Sequence, residues 1–155
     1  MTTRSSIGRK SKRKGKTGEQ EVVKLWQRLG FDRARRGYQY RDGSEQSDVL
    51  GVPFWVEVKR YRHLLPSTWA NAWNQGMAAM LLACERENIP DLMDVLVMAR
   101  EDRKRWTVLM AAQTLWELGY RGANHQFQHP NLVDGIDLRK IEWTEFVKLV
   151  ERMEK

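Results

Sequence analysis

Residues 54–62, FWVEVKRYR, have the composition of a buried β-strand but carry a carboxylate and an amine in the middle. β-Branched and aromatic residues favour strands. Successive side chains of a strand point to opposite faces, so Val56 and Val58 share one face while Glu57 and Lys59 share the other. We therefore predict a strand with one core face, whose second face presents Glu57 beside Lys59.

A Glu-x-Lys pattern by itself is more typical of an ion pair on a solvated strand face. Asp48 supports a second interpretation, because it begins the preceding strand-like segment and a turn at residues 51–53 would bring it close to Glu57. Two neighbouring carboxylates repel each other unless a cation lies between them. Mg²⁺, which prefers oxygen ligands, would remove that repulsion, with Lys59 beside the water that the ion holds.

A third acid comes from the segment before the strands. Residues 17–29 predict a helix, with Thr17 as its N-cap and Gly30 as its stop. Counting about 100° per residue, Glu19 lies closer to the apolar stripe of this helix than Glu21 does. Glu19 is therefore the acid that we expect near the same edge.

The remaining pattern predicts a single α/β domain over residues 17–155, with a central mixed sheet flanked by helices. The elements expected after the first helix are three short strands between residues 32 and 59, a helix at 67–87, strands in LMDVLVMA and RWTVLMA, a short helix in AAQTLWELGY, an irregular stretch at 121–137 and a helix at 143–154. The helix at 67–87 is apolar on more than one face, so we expect it to pack deep in the domain, with Cys84 in the core.

Positive charge is concentrated at the N-terminus. The net charge is +7, and residues 1–16 contain basic side chains but no acidic ones. We expect residues 1–16 to form a flexible basic arm that contacts phosphates, although such a segment can also be a merely solubilising terminus. A second basic group surrounds the strands, where the alternative is an ordinary solvated edge. The expected DNA-contacting residues are Arg9, Lys10, Lys12, Arg13, Lys14, Lys16, Arg35, Arg36, Arg60 and Arg62.

Other classes of protein are disfavoured. A single cysteine excludes an internal disulfide framework and suits a reducing compartment. No apolar run approaches the length needed to cross a bilayer, and the N-terminus lacks the apolar segment of a signal peptide. We therefore expect a soluble, cytoplasmic protein without a membrane partner.

Three segments together resemble the PD-(D/E)xK nuclease superfamily: KGKTGEQE at residues 14–21, SDVLG at 47–51 and FWVEVKRYR. Asp48, Glu57 and Lys59 match its D…ExK motif. The N-terminal part is similar to archaeal-type Holliday junction resolvases and their phage relatives, in which a KG-x3-E helix start precedes the strands. Lys14, Gly15 and Glu19 match that spacing. Ser47 is a departure, since many members have Pro there, and the resemblance extends only to about residue 110.

The resemblance implies a restriction-endonuclease-like fold and metal-dependent hydrolysis of phosphodiester bonds. In the implied site, Asp48, Glu57 and the backbone carbonyl of Val58 hold Mg²⁺, for which Mn²⁺ is an expected substitute. Lys59 orients or activates the attacking water, and Glu19 completes the metal shell or positions a second ion.

The implied protein is a homodimeric endonuclease acting on branched DNA, above all four-way junctions, in a prokaryotic cell or a virus-infected host. A symmetric cut needs two sites, and one domain of this size offers one. A restriction- or exonuclease-like member of the superfamily and a non-catalytic DNA-binding module are the alternatives.

Overall fold

The computed structural model describes residues 4–37, 46–87, 94–133 and 135–153. The helices are α1 (Arg4–Arg28), α2 (Pro66–Glu87), α3 (Ala112–Glu117) and α4 (Trp143–Val150). The strands are β1 (Arg35–Arg36), β2 (Val49–Leu50), β3 (Trp55–Tyr61), β4 (Val95–Glu101), β5 (Thr107–Ala111), β6 (His125–Phe127) and β7 (Leu138–Glu142).

The strands form one seven-stranded mixed sheet, in the order β1-β2-β3-β4-β5-β7-β6. Only β3 and β4 run parallel; the other neighbours are antiparallel. A parallel pair needs a crossover connection, and α2 supplies it between β3 and β4. The predicted α/β class, with a mixed sheet flanked by helices, is confirmed.

The face of the sheet covered by α1 and α4, here called the α1 face, is built from large apolar side chains. Phe54, Val56 and Val58 contribute to it from β3 and the residue before it. Trp26 of α1 lies at its centre, with its ring centroid 6.0 Å from that of Phe54 and 6.1 Å from that of Phe146. Its indole contacts the Met98 sulfur at 3.4 Å. Aromatic rings at these separations add packing energy beyond the burial of their surface.

The opposite face, here called the α2 face, is covered by the first half of α2. Trp55 of β3 packs there with Trp69 and Trp73 of α2, and both tryptophans of α2 are therefore core residues. The prediction that β3 has a single core face is wrong. Because α2 must lie on one face of the sheet to connect two parallel strands, it covers the face that carries Glu57, whose exposed fraction is only 4%.

The second half of α2 is less covered than its composition predicts. Leu81 is 56% exposed and Leu82 46% exposed. Cys84 is exposed as well, so its predicted core position is wrong. Apolar residues all around a helix predict burial on every side, but in this half only one side, with Met77, Met80 and Ala83, packs against the buried cluster of the α2 face.

α1 begins at Arg4 and not at Thr17, so the predicted helix start is wrong and the basic segment from Arg4 onward is helical. The Thr17 hydroxyl donates to the carbonyl of Arg13, four residues earlier, which is a bond made inside a helix and not at an N-cap. The strands β6 and β7 were also missed, since β6 is very short and β7 lies within LRKIE, where charged residues break up the apolar alternation. None of the described helices is long and apolar enough to cross a membrane.

Candidate functional site

The β2–β3 hairpin brings Asp48 next to the Glu-x-Lys pattern, as predicted. The Asp48 amide donates to the Val56 carbonyl at 2.8 Å. Its Oδ2 accepts a hydrogen bond from the Val58 amide at 2.7 Å. Asp48 is therefore bonded to the residues immediately before and after Glu57, and its side chain takes a position in the ladder that a backbone carbonyl usually fills.

The turn that closes this hairpin depends on Gly51. Its φ of +82° lies in the left-handed region that L-residues rarely adopt. A Cβ at this position would also lie 2.3 Å from the Arg33 carbonyl oxygen. Both conditions favour glycine at this position, and the turn that Gly51 allows sets the position of β2 relative to β3.

Ser47, at the position before Asp48, holds the hairpin through its hydroxyl group. It is 4% exposed, and its Oγ accepts from the Val56 amide at 2.8 Å. The hydroxyl lies 2.7 Å from the Val49 carbonyl oxygen, to which it donates. A proline here could make neither bond, so the hydroxyl group is what anchors the residue before Asp48.

Glu57 is buried under α2 and held by a neighbouring side chain. Its Oε1 accepts from the indole Nε1 of Trp55 at 3.1 Å. Gly76 of α2 lies directly above it, since a Cβ at that position would be 2.8 Å from Glu57 Cγ and 2.9 Å from Val95 Cγ1. A glycine inside an otherwise apolar helix is the sequence signal for such a close approach. Neither Trp55 nor Gly76 was predicted to act on the site.

Glu19 lies in a groove between α1 and the β1–β2 strands. The groove has a volume of roughly 800 Å³, and Asp48 lines it as well. Glu19 Oε2 accepts a hydrogen bond from Arg36 Nε at 2.8 Å and lies 2.6 Å from Arg36 Nη2. The Glu19 side chain is 23% exposed and that of Glu21 32%, which confirms the predicted order of the two acids.

The structure thus groups Glu19 with Asp48 and, separately, Asp48 with the backbone around Glu57. Glu57 and Lys59 do not line the groove. Among the described residues, no group of three or more His, Cys, Asp or Glu side chains is close enough to hold a metal ion. The donor chemistry of Asp48, Glu57 and the Val58 carbonyl suits Mg²⁺, because all are oxygen ligands.

Lys59 follows Val58 on β3 and is paired with Ala99 of β4 in the parallel register. Ala99 belongs to the α2 face, which is the face that alternation predicts for Lys59. Lys59 is partly exposed, whereas Glu57 is buried. The ammonium group is therefore the more accessible member of the Glu-x-Lys pair.

Two of the expected DNA-contacting residues belong to an ion-pair network at the end of the sheet where β3 and β4 finish. Lys14 Nζ donates to Asp102 Oδ2 at 2.5 Å. Arg60 pairs with Glu21 at 2.8 Å and lies 3.4 Å from Asp102 Oδ1. Arg100 pairs with the same Glu21 at 3.0 Å. The hydrogen bond from Lys14 is the main reason that the pKa of the Asp102 carboxyl lies below its ordinary value.

The other expected DNA-contacting residues divide into three groups. Arg36 is paired with Glu19, as described above. Arg13, Lys16, Arg35 and Arg62 are exposed. The side chains of Arg9, Lys10 and Lys12 lie outside the described part of the chain. Lys14, Arg36 and Arg60 thus have carboxylate partners within the chain, whereas Arg35 lines the groove and is exposed.

Comparisons with protein-family models, with curated proteins and with solved structures find no match for this chain.

Proposed function

We propose that this protein is a metal-dependent, structure-specific DNA endonuclease of the PD-(D/E)xK type with a restriction-endonuclease-like fold. The observation that carries the proposal is the β2–β3 hairpin, in which Asp48 bonds to the backbone on both sides of Glu57. This pairing joins the separated Asp and Glu-x-Lys parts of the motif at one place. The sequence resemblance supplies the reaction class, and the hairpin geometry supports it.

Hydrolysis of a phosphodiester needs positive charge near the phosphorus and a means to deprotonate water. Asp48 and Glu57, with the Val58 carbonyl, would hold Mg²⁺ or Mn²⁺. Such an ion, when bound, supplies positive charge and lowers the pKa of its water. Lys59, partly exposed beside them, would orient the attacking water and stabilise charge on the phosphate.

Glu19 has a supporting role in this proposal. It shares the groove with Asp48, and Arg36 fixes its carboxylate on one side. A second oxygen of Glu19 remains to complete the metal shell or to position a water. Arg36 in turn provides a guanidinium close to the acids, where a phosphate would lie.

The substrate that we propose is branched DNA, above all a four-way junction, cut by a homodimer. Two symmetric cuts need two equivalent sites, and each chain provides one. Within the superfamily, a restriction- or exonuclease-like activity is the closest alternative, and it would show as cleavage of linear duplex instead of junctions.

The burial of Glu57 favours a second candidate function, a DNA-binding module without catalysis. A carboxylate that is 4% exposed and bonded to an indole N–H can simply stabilise the packing of α2 on the sheet. In that case the basic residues bind DNA and no bond is cut.

Cleavage assays distinguish these functions. Labelled four-way junction, linear duplex and single-stranded DNA are incubated with the protein in Mg²⁺ or in EDTA. We expect Mg²⁺-dependent cleavage of the junction. Glu57→Gln, Asp48→Asn and Lys59→Met should each abolish it while junction binding in EDTA persists, and the exposed control Glu117→Gln on α3 should cleave normally. Undiminished cleavage by Glu57→Gln would reject the site, and binding without any cleavage by the wild type would support the binding module.

A further inference from the structure

The turn between β4 and β5, residues 102–106, carries three consecutive basic residues that the predicted binding surface does not include. Arg103, Lys104 and Arg105 are all exposed. The side chain of Lys104 is 71% exposed and that of Arg105 is 80% exposed. Their ion pairs, with Glu101 at 2.9 Å and Glu142 at 3.7 Å, are of the exposed kind that contributes little and exchanges readily for another anion.

Arg103 has an unfavourable backbone conformation. With a φ of 65°, it is the one residue other than glycine with a positive φ among the described residues. Glycine or asparagine takes this left-handed conformation at lower cost than arginine does. A strained backbone that carries a long, exposed cation at the tip of a turn points to a use for that cation.

The same turn anchors the basic part of α1. Asp102, the first residue of the turn, accepts the hydrogen bond from Lys14 and also faces Arg60. Arg13 and Lys16, on either side of Lys14 in sequence, are exposed on α1. The network therefore places the basic helix segment and the basic turn side by side, at the end of the sheet where Arg62 follows β3. The exposed cations of this surface are Arg13, Lys16, Arg62, Arg103, Lys104 and Arg105.

The dimensions of this surface suit a duplex. The helical segment of residues 4–16 is about 20 Å long at 1.5 Å per residue. This exceeds the roughly 12 Å width of the major groove of B-DNA, so the helix and the turn together can reach phosphates on both sides of a groove. Arg62 of this surface comes three residues after Lys59, just past the end of β3.

We propose that the β4–β5 turn, together with the α1 segment that Asp102 anchors, is a phosphate-contacting surface for double-stranded nucleic acid, with Arg103 as its leading contact. The inference rests on the proposed function for the identity of the partner. It adds to that function a binding surface whose exposed cations do not line the groove. Binding here requires no metal and no cleavage.

A pair of matched double variants tests the surface. Arg103→Asn/Lys104→Gln removes one arginine without an ion-pair partner among the described residues and one lysine with an i,i+3 partner. Lys148→Gln/Arg152→Gln removes the same kinds of charge from α4 and the turn that follows it, where Lys148 pairs with Glu145 at 3.1 Å and both side chains are exposed. Binding of a labelled duplex and a labelled four-way junction is measured by fluorescence anisotropy in EDTA, over a series of salt concentrations.

We expect the turn variant to bind about tenfold more weakly at low salt, with the slope of log affinity against log salt reduced by about two. The α4 variant should change both quantities far less. Arg103→Asn alone should lose affinity yet unfold at the same or a higher temperature, because asparagine tolerates the left-handed conformation. Equal losses of DNA affinity in the two double variants, or no loss in the turn variant, would overturn the proposal of this surface.

Failure of the nuclease proposal has a different signature. If the wild type binds DNA without cutting it and only the turn variant binds more weakly, the phosphate-contacting surface is supported and the catalytic assignment is rejected. If the wild type cleaves junctions and the turn variant binds and cleaves normally, the catalytic assignment is supported and the phosphate-contacting surface is rejected.

Discussion

The two faces of β3 are held in different ways. On the α1 face, Val56 and Val58 belong to the same cluster as Trp26 and Phe146, and this cluster is held together by the packing of apolar side chains. On the α2 face, Trp55 and Glu57 are fixed by a hydrogen bond and by the close approach of Gly76. Burial of apolar surface tolerates small shifts, whereas a hydrogen bond has a narrow range of distance and angle. The α1 face therefore carries the larger apolar cluster, and the α2 face and the adjoining hairpin position the candidate residues.

Removing an aromatic ring from the α1 face should have the largest effect. Phe146 is fully buried, and its ring packs against Trp26, Phe54 and Trp143. Phe146→Ala leaves a cavity, and we expect it to lower the free energy of unfolding by about 3–5 kcal/mol in urea denaturation. The exposed Trp116→Ala on α3 is the control and should cost far less. Similar losses in the two variants would contradict the assignment of the core.

A methyl group added beneath α2 should have the next largest effect. Gly76→Ala places a Cβ in contact with Glu57 and Val95, and we expect a loss of about 1–3 kcal/mol in the free energy of unfolding. Gly15→Ala on α1, where nothing lies within 4 Å of an added Cβ, is the matched control. It should stabilise the protein by about 0.5–1 kcal/mol, because alanine favours helix. The loss at Gly76 should shrink in a Glu57→Ala background, and a neutral Gly76→Ala would show that α2 does not press on Glu57.

Loss of the Ser47 hydroxyl should have a smaller effect, confined to the hairpin. Ser47→Ala leaves the Val56 amide without its acceptor, and we expect a loss of about 1–2 kcal/mol in the free energy of unfolding. Hydrogen exchange should also become faster for the Val56 and Val58 amides, measured by NMR, while amides of β5 stay protected. Unchanged exchange at both amides would mean that the hydroxyl does not hold the hairpin.

The smallest effect should come from Asp102 and depend on pH. Its pKa in the folded protein lies below the ordinary value of 3.8, chiefly because Lys14 donates a hydrogen bond to it. A lowered folded-state pKa means a stabilising contribution that is present above the ordinary value and lost as the pH falls through the folded-state value. Asp102→Asn should therefore unfold at lower urea than the wild type at pH 7, and the two should converge in acid. A constant difference at every pH would contradict the ionic origin of the contribution.

The parts of the fold that could be predicted depend on local patterns. Helix α2 and strands β3, β4 and β5 were predicted within a few residues, because their periodicity and composition are clear. The predicted element boundaries that were wrong are those where different local sequence signals compete. Thr17 has the chemistry of an N-cap, but its hydroxyl bonds within a helix that already started at Arg4. The strands β6 and β7 are stabilised by pairing with each other and with β5 more than by their own composition.

The positions of the candidate residues along the elements were more predictable than the contacts that they make. Spacing and alternation identified Asp48, Glu57 and Lys59, and helical periodicity identified Glu19 as the more inward acid. No local pattern shows that Arg36 pairs with Glu19 or that Arg60 pairs with Glu21, since the partners are far apart in the chain. The sequence shows that Trp55 is close to Glu57 in the chain. Its indole N–H can donate a hydrogen bond to Glu57 only because both side chains lie on the same buried face.

The sequence by itself determined the α/β class, the hairpin that joins Asp48 to β3 and the excess of basic charge, because periodicity, turn chemistry and composition act over a few residues. Only the tertiary structure decided that both faces of β3 are buried, that Gly76 presses on Glu57 and that Asp102 anchors the basic part of α1. These features depend on which face a crossover helix covers and on which distant charges meet. Both are settled by packing the whole chain around one sheet.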